Sequence, residues 1–135
     1  MKVWIDGAIV EGSQARIPVT DHGFLYGDGV FEGMRVYSRR IFRFDDHLSR
    51  LASGARCLGL TIPGGVEAAR RIVIDTARAH AQSDAYLRLI VSRGERGGEV
   101  DLSIDHDRRR PALAGDGGFP GHVFGWAPGQ GQLVI

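Results

Sequence analysis

At 135 residues, 43% apolar and 24% charged, the chain has the length of one domain and an ordinary globular composition. A net charge of +1 with interspersed signs argues against nucleic acid as a partner, and the one basic run, Arg108 to Arg110, reads as a solvated turn. The single cysteine, Cys57, excludes an intrachain disulfide, and no stretch approaches the ~20 apolar residues of a membrane-spanning helix.

Val3 to Ile5 and Ala8 to Val10 read as two short strands joined at Asp6-Gly7, a pair that tolerates the positive φ of a tight hairpin turn. Ile17 to Val19 could add another strand. Glycines 23, 27, 29 and 33 make Asp21 to Gly33 a shaped loop rather than a helix. Val30 to Tyr37 and Ile41 to Phe44 form a second predicted hairpin around Ser38-Arg39-Arg40.

Asp45 is placed to cap a helix from about Asp46 to Leu58, whose Leu48, Leu51, Ala55 and Leu58 share one face. Gly59 is its stop. Cys57, late in this helix, reads as a small buried residue rather than a nucleophile. A second helix from about Val66 to Ala79 places Val66, Ala69, Val73, Thr76 and Ala77 on one side. Tyr86 to Ser92 follows as a strand. The expected fold is α+β, an antiparallel sheet with two helices packed on it. Residues 1–113 form the domain; from Ala114 to Ile135 a Gly- and Pro-rich stretch containing Phe119, Phe124 and Trp126 reads as an irregular tail.

Asp21-His22-Gly23-Phe24-Leu25-Tyr26-Gly27-Asp28-Gly29-Val30-Phe31-Glu32-Gly33-Met34-Arg35-Val36-Tyr37, then Phe44 to Leu51, then Asp84 to Leu89 resemble three blocks of the class IV (fold-type IV) aminotransferases. The order and spacing of the blocks match too. Gly33-Met34-Arg35 after Phe31-Glu32 resembles the branched-chain type more than D-amino acid transaminases or aminodeoxychorismate lyases, which stay open as alternatives. The likeness implies the small N-terminal domain of that fold. It further implies pyridoxal 5′-phosphate as cofactor, branched-chain L-amino acids and 2-oxoglutarate as substrates, and a homodimer. With no signal-peptide-like amino terminus, no membrane-spanning stretch and balanced charge, a cytoplasmic location is expected, with neither nucleic acid nor membrane as partner.

By the same resemblance, Arg50 binds the cofactor phosphate, a role that suits a planar fork of donors. Without that motif, Arg50 would read as a surface arginine paired with Asp46 four residues earlier. Tyr26, Phe31 and Tyr86 match positions lining the substrate pocket, where core packing is the plainer alternative. Arg35 and Arg88 match positions near the substrate carboxylate, which needs paired donors when partly desolvated. The Gly27-x-Gly29 pattern precedes a strand and so is no dinucleotide loop. No metal-ligand spacing links the histidines, and His47 beside Asp46 reads as structural.

Lys2 is the only lysine. The family's Schiff-base lysine lies in a second domain, so no catalytic residue is assigned, cofactor binding is expected to be weak or absent, and the isolated chain is expected to be inactive. The change at Ala114 to Gly- and Pro-rich text is what a shifted reading frame would produce. A genuine short form, half of a split enzyme, and a non-catalytic binding module remain the alternatives.

Overall fold

The computed structural model describes residues 1–95 together with the strand segments 123–124 and 132–134. The elements in chain order are β1 (Lys2–Ile5), β2 (Ala8–Glu11), α1 (His22–Tyr26), β3 (Gly29–Tyr37), β4 (Arg40–Ile41), α2 (Phe44–Cys57), α3 (Gly65–His80), β5 (Ala85–Ser92), β6 (Val123–Phe124) and β7 (Gln132–Val134). They build one sheet in the order β2-β1-β7-β5-β3-β4, with β6 also on β5. The pairs among β1 to β5 are antiparallel, while β7 runs parallel to both β1 and β5. Two strand segments therefore fall within the stretch read as an irregular tail. The rest of that stretch, like the Arg108 to Arg110 run, lies outside the described residues.

The β1–β2 turn forms at Asp6-Gly7, where both residues have positive φ (49° and 86°). β3 and β4 meet at a two-residue turn, Ser38-Arg39, again with positive φ at both positions (48° and 64°); a three-residue turn was expected. Phe44 begins α2 instead of ending a strand. Ile17 to Val19 does not pair. Pro18 offers no backbone donor there, and its carbonyl accepts from Asp21 N in a turn (3.1 Å).

Both long helices bury the expected stripe. Leu48, Leu51 and Ala55 of α2 and Ala69, Val73 and Thr76 of α3 are buried against Met34, Val36, Ala85, Leu87, Leu89 and Val91 of β3 and β5. Leu58 departs from the stripe and is exposed, because it ends the helix rather than continuing it. Gly59 follows at φ 62°, donating to Arg56 O (3.2 Å), and Leu60 N donates back to Ala55 O (2.8 Å). This pair of bonds is a Schellman ending, which tucks Leu60 inward in place of Leu58. Cys57, in the same last turn, is exposed rather than buried.

Asp45 does not cap α2. The cap position is Arg43, in left-handed conformation and without a side-chain bond that caps the helix. Asp45 and Asp46 lie in the first turn, where their charge favours the helix N-terminus and each takes an arginine. Arg70 of α3 reaches Asp45 (2.6 Å) and lies over the Phe44 ring (5.2 Å), tying the two helices together. Arg43 takes Asp46 (2.7 Å).

Leu87 is fully buried at the centre of β5. Its truncation leaves a cavity that sheet and helices cannot both close, so Leu87→Ala is expected to cost about 2–5 kcal/mol in chemical denaturation.

Candidate active site

Strand alternation sorts the candidate residues. β3 and β5 pair from Gly29↔Ser92 to Val36↔Ala85, with Phe31 opposite Ile90, Gly33 opposite Arg88 and Arg35 opposite Tyr86. Residues 30, 32, 34 and 36 of β3 therefore point into the helix-covered core, and Phe31, Gly33, Arg35, Tyr86, Arg88 and Ile90 share the reverse face. Four of the six predicted site residues, Phe31, Arg35, Tyr86 and Arg88, are brought together there.

The four make specific contacts. The Arg88 guanidinium lies 4.3 Å from the centre of the Phe31 ring, and Arg35 lies 5.6 Å from that of Tyr37. Cations over aromatic faces stay partly desolvated while keeping their donors. Gly33 makes room for Tyr86, since a Cβ at position 33 would meet Tyr86 Oη at 2.1 Å. The missing side chain lets the phenol lie across β3 with its hydroxyl above the strand. Phe31 is 59% exposed, which fits a contact surface better than core packing.

Arg50 approaches from the other side of the sheet. Its Nε donates to Glu32 Oε1 (2.7 Å) and its Nη2 to Glu32 Oε2 (2.5 Å), while His47 Nδ1 lies 2.7 Å from Oε2. The expected helix pair with Asp46 is not made, because Asp46 is engaged by Arg43 and a buried carboxylate is the better partner. Burial pushes the Glu32 carboxyl up, but hydrogen bonds from Arg50 and His47 and the charge of Arg50 outweigh it and hold the group below its ordinary 4.5. Glu32 is 4% exposed. The Arg50 side chain is 71% exposed, and three of its five N–H donors point elsewhere than Glu32.

Among the described residues no strand covers the outer edge of β3 from Gly29 to Met34, because β4 pairs only with Val36 and Tyr37. Arg50 and Phe31 thus lie on opposite sides of β3. Tyr26 stands on α1, exposed, with its ring edge-on to His22 (centroids 5.0 Å apart). The Asp21 to Gly33 segment is thus not wholly a loop. Asp21 caps α1 by accepting from Gly23 N (2.7 Å), and its other oxygen accepts from Ser92 Oγ (2.9 Å). At the far end Asp28 takes Arg93 through both oxygens (2.5 and 3.1 Å), and Arg93 also donates to Leu58 O (2.9 Å).

Glu32, Asp21, Asp28, Ser92 and Arg93 were not singled out from the sequence. The readable signal was Glu32 itself, an acid at an inward position between Val30 and Met34. A cleft of about 510 Å³ between the β3–β4 turn and α3 contains none of the six candidates. Among the described residues no group of three or more His, Cys, Asp or Glu is placed to hold a metal, and no helix is long and apolar enough to cross a membrane.

Residues 29–114 match the amino-transferase class IV family. A putative branched-chain-amino-acid aminotransferase of Methanocaldococcus jannaschii is 43% identical over 105 residues, 78% of this chain and 35% of that one. A D-alanine aminotransferase of Listeria innocua is 32% identical over 94 residues, 70% of this chain and 32% of that one. The branched-chain aminotransferase of Thermoproteus uzoniensis, solved with norvaline, superposes with a TM-score of 0.69 at 30% identity, covering 91% of this chain and 38% of that one. The chain spans about a third of the length of the curated relatives it matches. Its fold matches the N-terminal domain of these enzymes.

Two outcomes follow from this geometry. Gly33→Ala should rotate the Tyr86 ring off β3 at a stability change below about 1 kcal/mol, since the clash is with the end of a movable side chain. Unaltered Tyr86 ring shifts in NMR would refute that placement. Because the folded Glu32 carboxyl sits below 4.5, its stabilisation is complete above that pH and is lost as pH falls through the lower folded value. Glu32→Gln should accordingly flatten the fall in denaturation midpoint below pH 4.5.

Proposed function

The chain belongs to the class IV aminotransferases, and on that premise we propose that it supplies the small-domain half of a pyridoxal-phosphate-dependent transaminase for branched-chain L-amino acids and 2-oxoglutarate. The observation that carries this reading is the register of β3 on β5, which sets Phe31, Tyr86, Arg35 and Arg88 on one face of the sheet, with Arg50 held by Glu32 of the same strand β3 on the other side. Apolar ring surface beside two guanidinium groups suits an amino acid with a hydrocarbon side chain and a carboxylate.

Arg50 fits the phosphate of the cofactor, because its outer donors are exposed while its inner edge is fixed. When bound, the cofactor supplies the carbonyl that takes up the amino group and the ring that draws off electrons from the broken C–H bond. The chain's own contribution is positional. Arg50 holds the phosphate, Phe31 and Tyr86 contact the substrate side chain and exclude water, and Arg35 and Arg88 orient its carboxylate. Tyr26, exposed beside Phe24 and Leu25 on α1, gives an apolar surface that supports self-association.

The covalent amine must come from outside these 135 residues. Lys2 is the only lysine, and it is committed to an ion pair with Glu11 on the outer hairpin. A second reading, transfer from D-amino acids, draws support from the D-alanine aminotransferase relatives.

The purified chain with free cofactor, leucine and 2-oxoglutarate should form no glutamate above the blank. Mixing it with the lysine-bearing later segment of a full-length class IV relative should restore glutamate formation, and Arg88→Ala should reduce that restored rate at least about tenfold. Turnover by the chain alone would overturn the proposal, and restored activity on D-alanine but not leucine would favour the second reading.

A further inference from the structure

A carboxylate inside an apolar strand face is costly unless something specific returns that cost. Glu32 faces inward opposite Leu89, flanked on its face of β3 by Val30 and Met34. An aliphatic residue would continue the core pattern there without burying charge. Instead both carboxylate oxygens are engaged, Oε1 by Arg50 Nε (2.7 Å) and Oε2 by Arg50 Nη2 (2.5 Å) and His47 Nδ1 (2.7 Å). An ionised carboxylate only accepts, so Nδ1 carries the proton in this contact.

The contact is side-on and two-pronged, which fixes the plane of the guanidinium as well as its position. It references that plane to the paired strand β3 rather than to the surface of α2. Without Glu32, the long and exposed Arg50 side chain would sample several rotamers, and any anion would have to freeze them on binding. His47, on the same face of α2 one turn earlier, holds the carboxylate from a third direction.

We propose that Glu32 and His47 are positioning residues for anion binding at Arg50. They hold the guanidinium side-on, so that its remaining donors are preset for a phosphate group. The inference rests on the phosphate role of Arg50 argued above. It carries a signature that simple charge attraction does not. Glu32 offsets part of the positive charge of Arg50, so attraction alone predicts tighter phosphate binding once the acid is neutralised. Positioning predicts weaker binding.

The test titrates inorganic phosphate, and then pyridoxal 5′-phosphate, into the 135-residue chain while following the Arg50 Nε–H resonance by ¹⁵N NMR, assigned by its loss in Arg50→Lys. In the unaltered chain that proton should be protected from exchange and should move on titration. Glu32→Gln should expose it and raise the phosphate dissociation constant about tenfold, the usual scale for removing a partner that orients a binding group. Unchanged or tighter binding in a folded Glu32→Gln chain overturns the proposal and leaves the Arg50 reading standing. A resonance in the unaltered chain that does not respond to saturating phosphate removes the Arg50 reading and this inference with it. Should Glu32→Gln fail to fold, His47→Ala takes its place, with a smaller loss of affinity expected and unchanged affinity again overturning the proposal. A fall in melting temperature without a change in phosphate affinity would mark both residues as merely structural.

Discussion

The eight antiparallel pairs between β3 and β5 are the constraint on which the rest of the molecule depends. Side chains alternate across a strand, so this one register decides which residues pack under the helices and which face outward. Met34, Val36, Leu87, Leu89 and Val91 close the core, while Phe31, Arg35, Tyr86 and Arg88 are left on the reverse face. A slip of β5 by one residue against β3 would bury Arg88 and expose Leu87 and Leu89. Core and candidate site are therefore enforced by the same hydrophobic pattern, and neither can be changed without the other.

Glu32 is the exception to that pattern and shows how the two faces communicate. It occupies a core position yet is held ionised, and its partners come from α2 rather than from the sheet. Arg50 thereby lies on the helix side of β3, while the aromatic and arginine cluster lies on the reverse face. Among the described residues no strand pairs with the rest of the outer edge of β3, because β4 is only two residues long. An edge left unpaired is normally a hazard for association.

The segment before β3 is held at both ends. The buried Asp21 joins α1 to the end of β5 through Ser92, and Asp28 joins the start of β3 to Arg93 and through it to the last turn of α2. These bonds cross 65 and 71 residues of sequence. A chain segment rich in glycine would otherwise be mobile on entropic grounds. The tethers return it to a fixed place beside the sheet face, with Tyr26 presented on a short helix.

The sequence by itself determined what periodicity and local chemistry can determine. The faces of α2 and α3, the β1–β2 turn at Asp6-Gly7 and the strand at Tyr86 to Ser92 were legible because each depends on neighbours within a few residues. So were the three blocks that mark the family. Only the tertiary structure decided the partners. Arg50 takes Glu32, 18 residues away in sequence, instead of Asp46 on its own helix, and Asp45 takes Arg70 of α3 instead of capping α2. Leu58 and Cys57 turn outward because the helix ends in a backbone motif that spends its inward position on Leu60. For Arg50 a short-range rule offered Asp46, and the packing of sheet against helix offered the buried Glu32 carboxylate, a stronger partner; Asp45 and Arg70 meet only because the two helices are packed side by side.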